Sequence, residues 1–270
     1  MHPVLFKIPI PEFLRGVFPD ELIIYSYGLL IFLGAISASY YLITQLARRF
    51  NLKTDDSLNL VIGIIISAVI GGKAFLYFES PSFYNQNPGA LFSNAGFVFY
   101  GSLIFALGVV WLFIRKYKLA TWPFLDIIAV TTLIVHAFGR VGCFLAGCCH
   151  GLPYDGLFSV VFSDPNCVAE PLNTPLHPTQ LYSAFMLLFI LLILFIVKRF
   201  QRFDGELFLL YLMLYSVGRS VIEEFRGDEE RGFIFDGFLS HSQFIASILF
   251  LIALFLFIKK WRNADTHLNH

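Results

Sequence analysis

Two arginines lie in or at the end of apolar stretches of the sequence, where an ionised side chain is costly. Arg140 stands in His136-Ala-Phe-Gly-Arg140-Val-Gly-Cys143, and Arg219 stands in Tyr215-Ser-Val-Gly-Arg219. A charge at the centre of a membrane helix costs at least ~2.5 kcal/mol, so such residues normally face the protein interior or a wet cavity. The planar fork of a guanidinium matches phosphate or carboxylate oxygens. The arginines therefore predict an anion site, and the most available phosphate in a membrane belongs to a phospholipid headgroup.

Helical spacing places further polar side chains beside each arginine. His136, Arg140 and Cys143 would share one helix face, because they follow at intervals of four and three. A second face would present Tyr215, Arg219, Glu223 and Arg226. A structural interpretation competes: Arg219 and Glu223 could neutralise each other, and Arg140 could extend to the headgroups. Together with Lys73 after Gly71-Gly72, the several cations favour a positively charged cavity that opens toward the outer leaflet.

The four cysteines, Cys143, Cys148, Cys149 and Cys167, lie close together in the sequence, and His150 follows the adjacent pair. A structural role ranks first, either packing or, in an oxidising exterior, a disulfide, for example between Cys167 and one of the others. A thiol near Arg140 could instead be reactive, because a positive charge lowers its pKa. A metal ion ranks third, since this spacing differs from that of ordinary zinc sites. No cofactor or metal is expected.

The composition requires a membrane around these residues. The 270 residues are 57% hydrophobic and only 14% charged, whereas a soluble domain carries roughly 25% charged residues. The net charge of +0 gives no indication of a nucleic-acid partner. Apolar runs of about 20 residues span a bilayer. They predict an all-α polytopic membrane protein with about seven transmembrane helices, at 23–46, 57–79, 97–116, 121–143, 180–198, 206–225 and 239–259.

Basic residues follow every second span, and the alternate boundaries are nearly free of them. The four basic clusters are Arg48, Arg49 and Lys53; Arg115, Lys116 and Lys118; Lys198, Arg199 and Arg202; and Lys259, Lys260 and Arg262. Positive loops stay inside, so the N-terminus is expected outside and the C-terminus in the cytoplasm. The longest connection, 144–178, is expected to form a small outer-side loop subdomain within a single domain, 1–270.

Several motifs, in this order along nearly the whole chain, resemble the prolipoprotein diacylglyceryl transferase family of bacteria. They are Tyr27-Gly28-Leu29, Gly71-Gly72-Lys73, Asp126, Gly139-Arg140-Val-Gly142-Cys143-Phe144, His177-Pro178-Thr179-Gln180-Leu181-Tyr182, Gly218-Arg219 to Glu223 with Phe225-Arg226, and Ser242-Gln243. The resemblance implies an enzyme of the bacterial inner membrane. It would move the diacylglyceryl group of phosphatidylglycerol to the lipobox cysteine in the signal peptide of a preprolipoprotein, and glycerol phosphate would leave. The expected partners are therefore phosphatidylglycerol, these signal peptides and membrane lipids.

The resemblance also implies roles for individual residues. Arg140 and Arg219 are expected to stabilise charge on the leaving group, and Glu223 to orient an arginine. Tyr100 is the third expected catalytic residue. The residues expected to bind substrate are Tyr27, Lys73, Gly101, Gly142, Cys143, Gly151, Tyr215, Glu223 and Arg226.

Three departures from the family pattern affect the proton-transfer step. Tyr100 replaces a histidine that is a candidate base, Cys143 replaces an asparagine, and the Cys148-Cys149-His150 stretch replaces an acidic residue. An ordinary tyrosine pKa near ~10 makes a poor base at neutral pH. Two alternatives therefore stay open: a paralogue that uses the same lipid pocket for another acceptor, and a thiol-redox or metal protein centred on the cysteines. A transporter is a further alternative.

Overall fold

The computed structural model describes residues 2–9, 21–92, 98–226, 233–234 and 239–268, and most of them are helical. Within these residues six helices are long and apolar enough to cross a membrane: Ser26–Phe50 (α1), Thr54–Glu79 (α2), Phe99–Tyr117 (α5), Thr121–Ala146 (α6), Thr179–Val197 (α7) and His241–Leu268 (α9), the last over its His241–Asp265 part. Two short helices, Pro81–Gln86 (α3) and Pro88–Phe92 (α4), lie between α2 and α5.

A helix, Glu206–Glu223 (α8), also forms at the remaining predicted span. Its apolar surface is interrupted by Glu206, Arg219 and Glu223, and α8 is not among the six helices that are long and apolar enough to cross a membrane. A helix that carries such charges has to turn them toward the protein. Glu206 and Glu223 are indeed buried. The prediction of an all-α polytopic membrane protein is confirmed.

Two predicted spans begin too early. Residues Glu21–Tyr25 form a strand (β2) that pairs antiparallel with Val4–Pro9 (β1), so the first helix starts at Ser26 and not at 23. β-Branched Ile23 and Ile24 favour this extended conformation. Likewise Leu239–Ser240 (β6) pairs with Phe233–Ile234 (β5) before α9 begins. In both places pairing with another segment overrides the apolar pattern that predicted a helix.

The chain divides into two compact units. In the second unit, Ser39–Phe124, helices α2 and α5 pack closely against each other. Gly71 and Gly101 face each other, and a Cβ atom on either would collide with the carbonyl oxygen of the other. Such contacts between backbones are typical of membrane helices with small residues at the interface. Ser102 Oγ donates to the Ala68 carbonyl oxygen at 2.8 Å across the same interface. Gly71 and Gly101 therefore allow the close approach of α2 and α5.

The first unit, Met1–Ala38 with Leu125–His270, contains α6 to α9 and the start of α1. Residues 147–178 connect α6 to α7 and form a compact loop, which we call the 147–178 loop. Its short strands Val160–Val161 (β3) and Pro175–Leu176 (β4) pair antiparallel. Its apolar core consists of Phe162, Cys167, Ala169 and Leu176. The expectation of a single domain over the whole chain stays a prediction.

Asp126 holds the start of α8 from within α6. Its carboxylate is 1% exposed and accepts hydrogen bonds from Gly205 N at 2.8 Å and Phe208 N at 3.0 Å. It also accepts one from Gln201 Nε2 at 2.6 Å. The N-cap residue of α8 is Gly205, which has no side chain to cap the helix. Asp126 therefore supplies the cap from another helix, where a negative charge also complements the helix dipole.

We expect Asp126→Ala to lower the free energy of unfolding by at least about 3 kcal/mol, because two or more bonds to a charged group contribute ~1.5 kcal/mol each. The measurement is thermal or denaturant unfolding of the purified protein in detergent. Asp56→Asn is the matched control, since Asp56 accepts a 2.7 Å bond from Tyr117 Oη and keeps an acceptor after the change. Equal stability of Asp126→Ala and the wild-type protein would contradict the role of Asp126.

Candidate active site

Arg140 lies near the end of α6, in a region where the helix also carries His136 and Cys143. Arg140 Nε donates a hydrogen bond to His136 Nε2 at 3.2 Å. The two side chains therefore lie on one helix face, as their spacing of four predicts. This bond uses one donor of Arg140, and a guanidinium has five. The terminal nitrogens remain suited to a phosphate.

Arg219 approaches the same histidine from α8. The His136 ring lies 5.7 Å from the Tyr215 ring, measured between centroids, and His136 is within electrostatic range of both Arg140 and Arg219. Arg219 forms an ion pair with Glu223 one turn further along α8, with side-chain exposures of 18% and 4%. The structure thus brings Arg140, Arg219 and Tyr215 together around His136, and Glu223 pairs with Arg219.

Tyr27 completes this group from the start of α1. A Cβ atom on Gly142 would lie 3.1 Å from Tyr27 Cδ2, which is tighter than an ordinary contact, so glycine favours this close approach of α1 to α6. Tyr27 is within electrostatic range of Arg140 and of the thiols of Cys143, Cys148 and Cys149. Tyr27 and Gly142, both predicted to bind substrate, therefore lie beside Arg140.

Arg226 lies beyond α8, which ends at Glu223, so the prediction that it shares a helix face with Arg219 is wrong. The backbone after α8 pairs with the 147–178 loop instead: Gly151 forms an antiparallel bridge with Arg226, and Leu152 N donates to the Phe225 carbonyl oxygen at 2.9 Å. A Cβ atom on Gly151 would collide with the Phe225 carbonyl oxygen. Arg226 nevertheless remains within electrostatic range of Arg219.

The segment His177–Tyr182 joins the 147–178 loop to the start of α7. The His177 ring stacks on Tyr154 at 4.0 Å, and its Nδ1 lies 3.1 Å from Tyr182 Oη. Burial lowers the pKa of His177. Thr179 Oγ1 donates to the Cys149 carbonyl oxygen and Gln180 Nε2 donates to the Cys148 carbonyl oxygen, both at 2.7 Å. This motif therefore positions the cysteine pair.

All four cysteines are described by the structure and all are free, so of the two structural roles ranked first the disulfide is not formed and packing remains. Cys167 lies in the apolar core of the 147–178 loop. The sulfur atoms of Cys143, Cys148 and Cys149 instead lie within 4.8 Å of one another. Hydrogen bonds from the Cys143 and Cys148 thiols lower the pKa of Cys149, and the charges of Arg140 and Arg226 lower it further.

Three predicted site residues belong to the second unit. Lys73 follows the glycine pair of α2, and Tyr100 and Gly101 begin α5. Val98 N donates to the Gly72 carbonyl oxygen at 3.3 Å, which holds these two helix ends together. The Tyr100 side chain is 64% exposed. The roles of Lys73 and Gly101 in substrate binding and of Tyr100 in catalysis stay predictions.

Sequence reasoning omitted His136, Thr179 and Gln180 from the expected site. His136 could have been included, because it lies four residues before Arg140 and side chains four residues apart are neighbours on a helix. The partners of Thr179 and Gln180 lie about 30 residues earlier, and no local pattern indicates such bonds. With these residues, the first unit presents two guanidinium groups, two tyrosines and three thiols at one end. This arrangement can bind a phosphate ester and stabilise negative charge that develops on it.

Comparison with known proteins agrees with the resemblance drawn from the motifs. The model of the prolipoprotein diacylglyceryl transferase family matches residues 17–259. A protein from Clostridium tetani named phosphatidylglycerol–prolipoprotein diacylglyceryl transferase is 34% identical over 258 residues, which cover 95% of this chain and 97% of that protein. A protein of the same name from Dehalococcoides mccartyi is 33% identical, with coverage of 90% and 92%. Another from Enterococcus faecalis is 30% identical, with coverage of 90% and 88%.

Proposed function

The chain belongs to the prolipoprotein diacylglyceryl transferase family, and we propose that the arginine-lined end of its first unit is the active site. There it transfers the diacylglyceryl group of phosphatidylglycerol to the thiol of a lipobox cysteine in a preprolipoprotein signal peptide. A thioether forms, and glycerol phosphate leaves. The observation that carries this proposal is the convergence of Arg140 and Arg219 on His136 from two different helices.

The charges of the site suit the leaving group of this reaction. The phosphate diester of the lipid carries one negative charge, and cleavage of its carbon–oxygen bond creates a second. Arg140 and Arg219 hold two guanidinium groups beside the place where that charge develops, and preorganised donors in a site that excludes water stabilise it strongly. Glu223 fixes Arg219 by the ion pair, and Tyr27 and Tyr215 line the site.

A groove between α8 and α9 is suited to the acyl chains of the lipid. It has a volume of about 430 Å³ and is lined by Ser216, Val217, Ser220, Val221, Ala246, Ser247, Phe250 and Leu251. Its side chains are mostly small or apolar. The part of α8 that lines this groove, residues 216–221, lies at the same level of the helix as Arg219. A lipid could thus place its headgroup at the arginines and its chains along α8.

We further propose that this end faces the outside of the bacterial inner membrane, with the N-terminus outside and the C-terminus in the cytoplasm. Within the first unit, the opposite ends of the helices carry basic clusters. There Arg202 lies over Trp261 at 4.0 Å. Basic residues beside aromatic rings are typical of the cytoplasmic membrane interface.

We expect green fluorescent protein fused to the C-terminus to fluoresce and alkaline phosphatase fused there to stay inactive. The reverse result would contradict this orientation.

Reconstitution tests the proposed reaction directly. The full-length protein is placed in liposomes that contain phosphatidylglycerol and is given a peptide with a lipobox cysteine. We expect mass spectrometry to detect the diacylglyceryl peptide. Liposomes of phosphatidylethanolamine alone and a peptide with serine in place of cysteine serve as controls. If the cysteine peptide receives no diacylglyceryl group and the protein also fails to rescue a bacterium depleted of this transferase, the proposal is contradicted. That result would favour a paralogue with another acceptor.

A further inference from the structure

Three thiols form a compact cluster at the end of α6, beside Arg140. The sulfur atoms of Cys143, Cys148 and Cys149 all lie within 4.8 Å of one another, and all three residues are half-buried. Three thiolates around a zinc ion, with zinc–sulfur bonds of about 2.3 Å, have sulfur atoms about 3.8 Å apart. Closing the cluster onto a metal ion therefore requires the sulfur atoms to approach one another by no more than about 1 Å.

The backbone holds this cluster in place. Gly147 ends α6 with a φ of +83°, and Cys148 N donates to the Cys143 carbonyl oxygen at 3.1 Å, which returns the chain toward the helix. Cys149 has a φ of +60°, a left-handed conformation that is strained for a cysteine. The buried Thr179 and Gln180 stabilise this turn through their bonds to the Cys149 and Cys148 carbonyl oxygens. The thiols are thus positioned before any ligand arrives.

Positive charges lie beside the cluster. Cys149 is within electrostatic range of Arg140 and Arg226. Three thiolates and one divalent ion together carry a net charge of one negative unit, which neighbouring guanidinium groups can compensate. Thiolate sulfur is a soft ligand that selects zinc and similar ions over magnesium or calcium.

His150, the residue next to this cluster, faces elsewhere. Its Nδ1 lies 3.0 Å from the carbonyl oxygen of Gly151, and its ring lies 6.2 Å from the Phe162 ring in the core of the 147–178 loop. His136 accepts the hydrogen bond from Arg140. Among the described residues, the cluster therefore offers three ligands. Structural zinc sites have four protein ligands, whereas sites with three keep a position for a substrate.

We propose that Cys143, Cys148 and Cys149 bind a zinc ion and leave its fourth position for the sulfur of the acceptor cysteine. The metal site stands on its own geometry, and the role of the fourth position rests on the proposed function. A thiol that coordinates zinc is deprotonated outright. The site then supplies the nucleophile of the transfer without a separate general base.

The proposed step conserves atoms and charge. The acceptor thiol gives its proton to water when its sulfur binds the zinc ion. A lone pair of this sulfur attacks the glyceryl carbon that bears the phosphate, and the carbon–oxygen bond breaks with its electron pair on the phosphate. Glycerol phosphate leaves with one additional negative charge, which matches the released proton. The thioether product is uncharged and binds zinc more weakly than the thiolate, so it dissociates, and zinc undergoes no redox change.

Metal binding can be measured without turnover. The full-length protein is purified in detergent under reducing conditions, stripped with a chelator and titrated with Zn²⁺, and Co²⁺ is used as a spectroscopic probe. We expect one ion per chain and a tetrahedral Co²⁺ spectrum with thiolate charge-transfer bands. Cys143→Ser, Cys148→Ser and Cys149→Ser should each lose stoichiometric binding. Cys167→Ala is the matched control and should retain it, because Cys167 lies in the core of the 147–178 loop.

The fourth position has its own readouts. A lipobox peptide with cysteine should shift the Co²⁺ spectrum, and the same peptide with serine should not. Removal of the metal with a chelator should lower the transfer rate at least roughly tenfold, because even the loss of a residue that only orients a metal ligand has an effect of this size. Addition of Zn²⁺ should restore the rate. Absent binding, or equal binding by Cys149→Ser, overturns the metal site. Inhibition by Zn²⁺, or no spectral shift, overturns the role of the fourth position. A protein that binds zinc and thiol but transfers no lipid contradicts the proposed function alone.

Discussion

Replacement of Arg140 with alanine is expected to lower kcat/KM for diacylglyceryl transfer by a factor of about 10² to 10³. Arg140 lies at the end of α6 with its Nε bound to His136, and its terminal nitrogens are suited to the phosphate of the lipid. The interaction strengthens as charge develops on the leaving group, so its loss should appear mainly in kcat and less in KM. The assay is the initial rate of peptide lipidation in phosphatidylglycerol liposomes.

Arg140→Lys separates charge from geometry. Lysine keeps the positive charge but presents no planar fork, so we expect a rate between those of the alanine variant and the wild-type protein. Arg48→Ala is the matched control, because Arg48 is an exposed arginine in the last turn of α1 and should leave the rate unchanged. All variants should unfold at the wild-type temperature. A wild-type rate in Arg140→Ala would remove Arg140 from the proposed mechanism.

The fold follows closely from local properties of the sequence. A helix forms at each of the seven predicted apolar spans, because a chain in lipid has to satisfy its backbone hydrogen bonds within each segment. The departures occur where a distant segment intervenes. Glu21–Tyr25 is a strand because Val4–Pro9 pairs with it, and Arg226 leaves the helical pattern because Gly151 pairs with its backbone. Neither partner is indicated by the apolar periodicity.

The sequence predicts those contacts of the site that form between residues of the same helix. The pairs His136–Arg140 and Arg219–Glu223 both follow from a spacing of four. The cysteine cluster does not follow from spacing, because the left-handed conformation of Cys149 depends on bonds from α7. The cap that Asp126 supplies to α8 also joins positions far apart in the chain. Such contacts arise only when helices pack, so they lie beyond local patterns.

The largest expected effect on stability and activity together comes from the buried pair of Arg219 and Glu223. Its side-chain exposures are 18% and 4%. Removal of one partner of a buried pair leaves an uncompensated charge and costs about 3–5 kcal/mol. We therefore expect Arg219→Ala both to destabilise the protein by that amount and to lower the transfer rate at least about 10²-fold.

A double variant separates these two effects. In Arg219→Met with Glu223→Leu no buried charge is left unpaired, so most of the stability should return, as it does when apolar residues of similar volume replace both partners of a buried pair. The transfer rate should stay low, because the guanidinium is still missing. The Arg202–Asp265 pair, at 3.7 Å with side-chain exposures of 48% and 47%, is the matched control. Its disruption by Asp265→Ala should cost no more than about 1 kcal/mol and leave transfer unchanged.

The stability and the transfer rate of the single and double variants decide between the two interpretations of Arg219 that the sequence leaves open. If Arg219 only neutralises Glu223, the double variant should recover stability and transfer together. If Arg219 binds the phosphate, recovery of stability without transfer is required, because no other group in the variant replaces its charge. Glu223→Gln refines the result: it keeps a side chain of the same shape but frees Arg219 from the carboxylate. We expect it to raise KM and lower kcat less than Arg219→Ala does, since the arginine remains but is held less firmly in place.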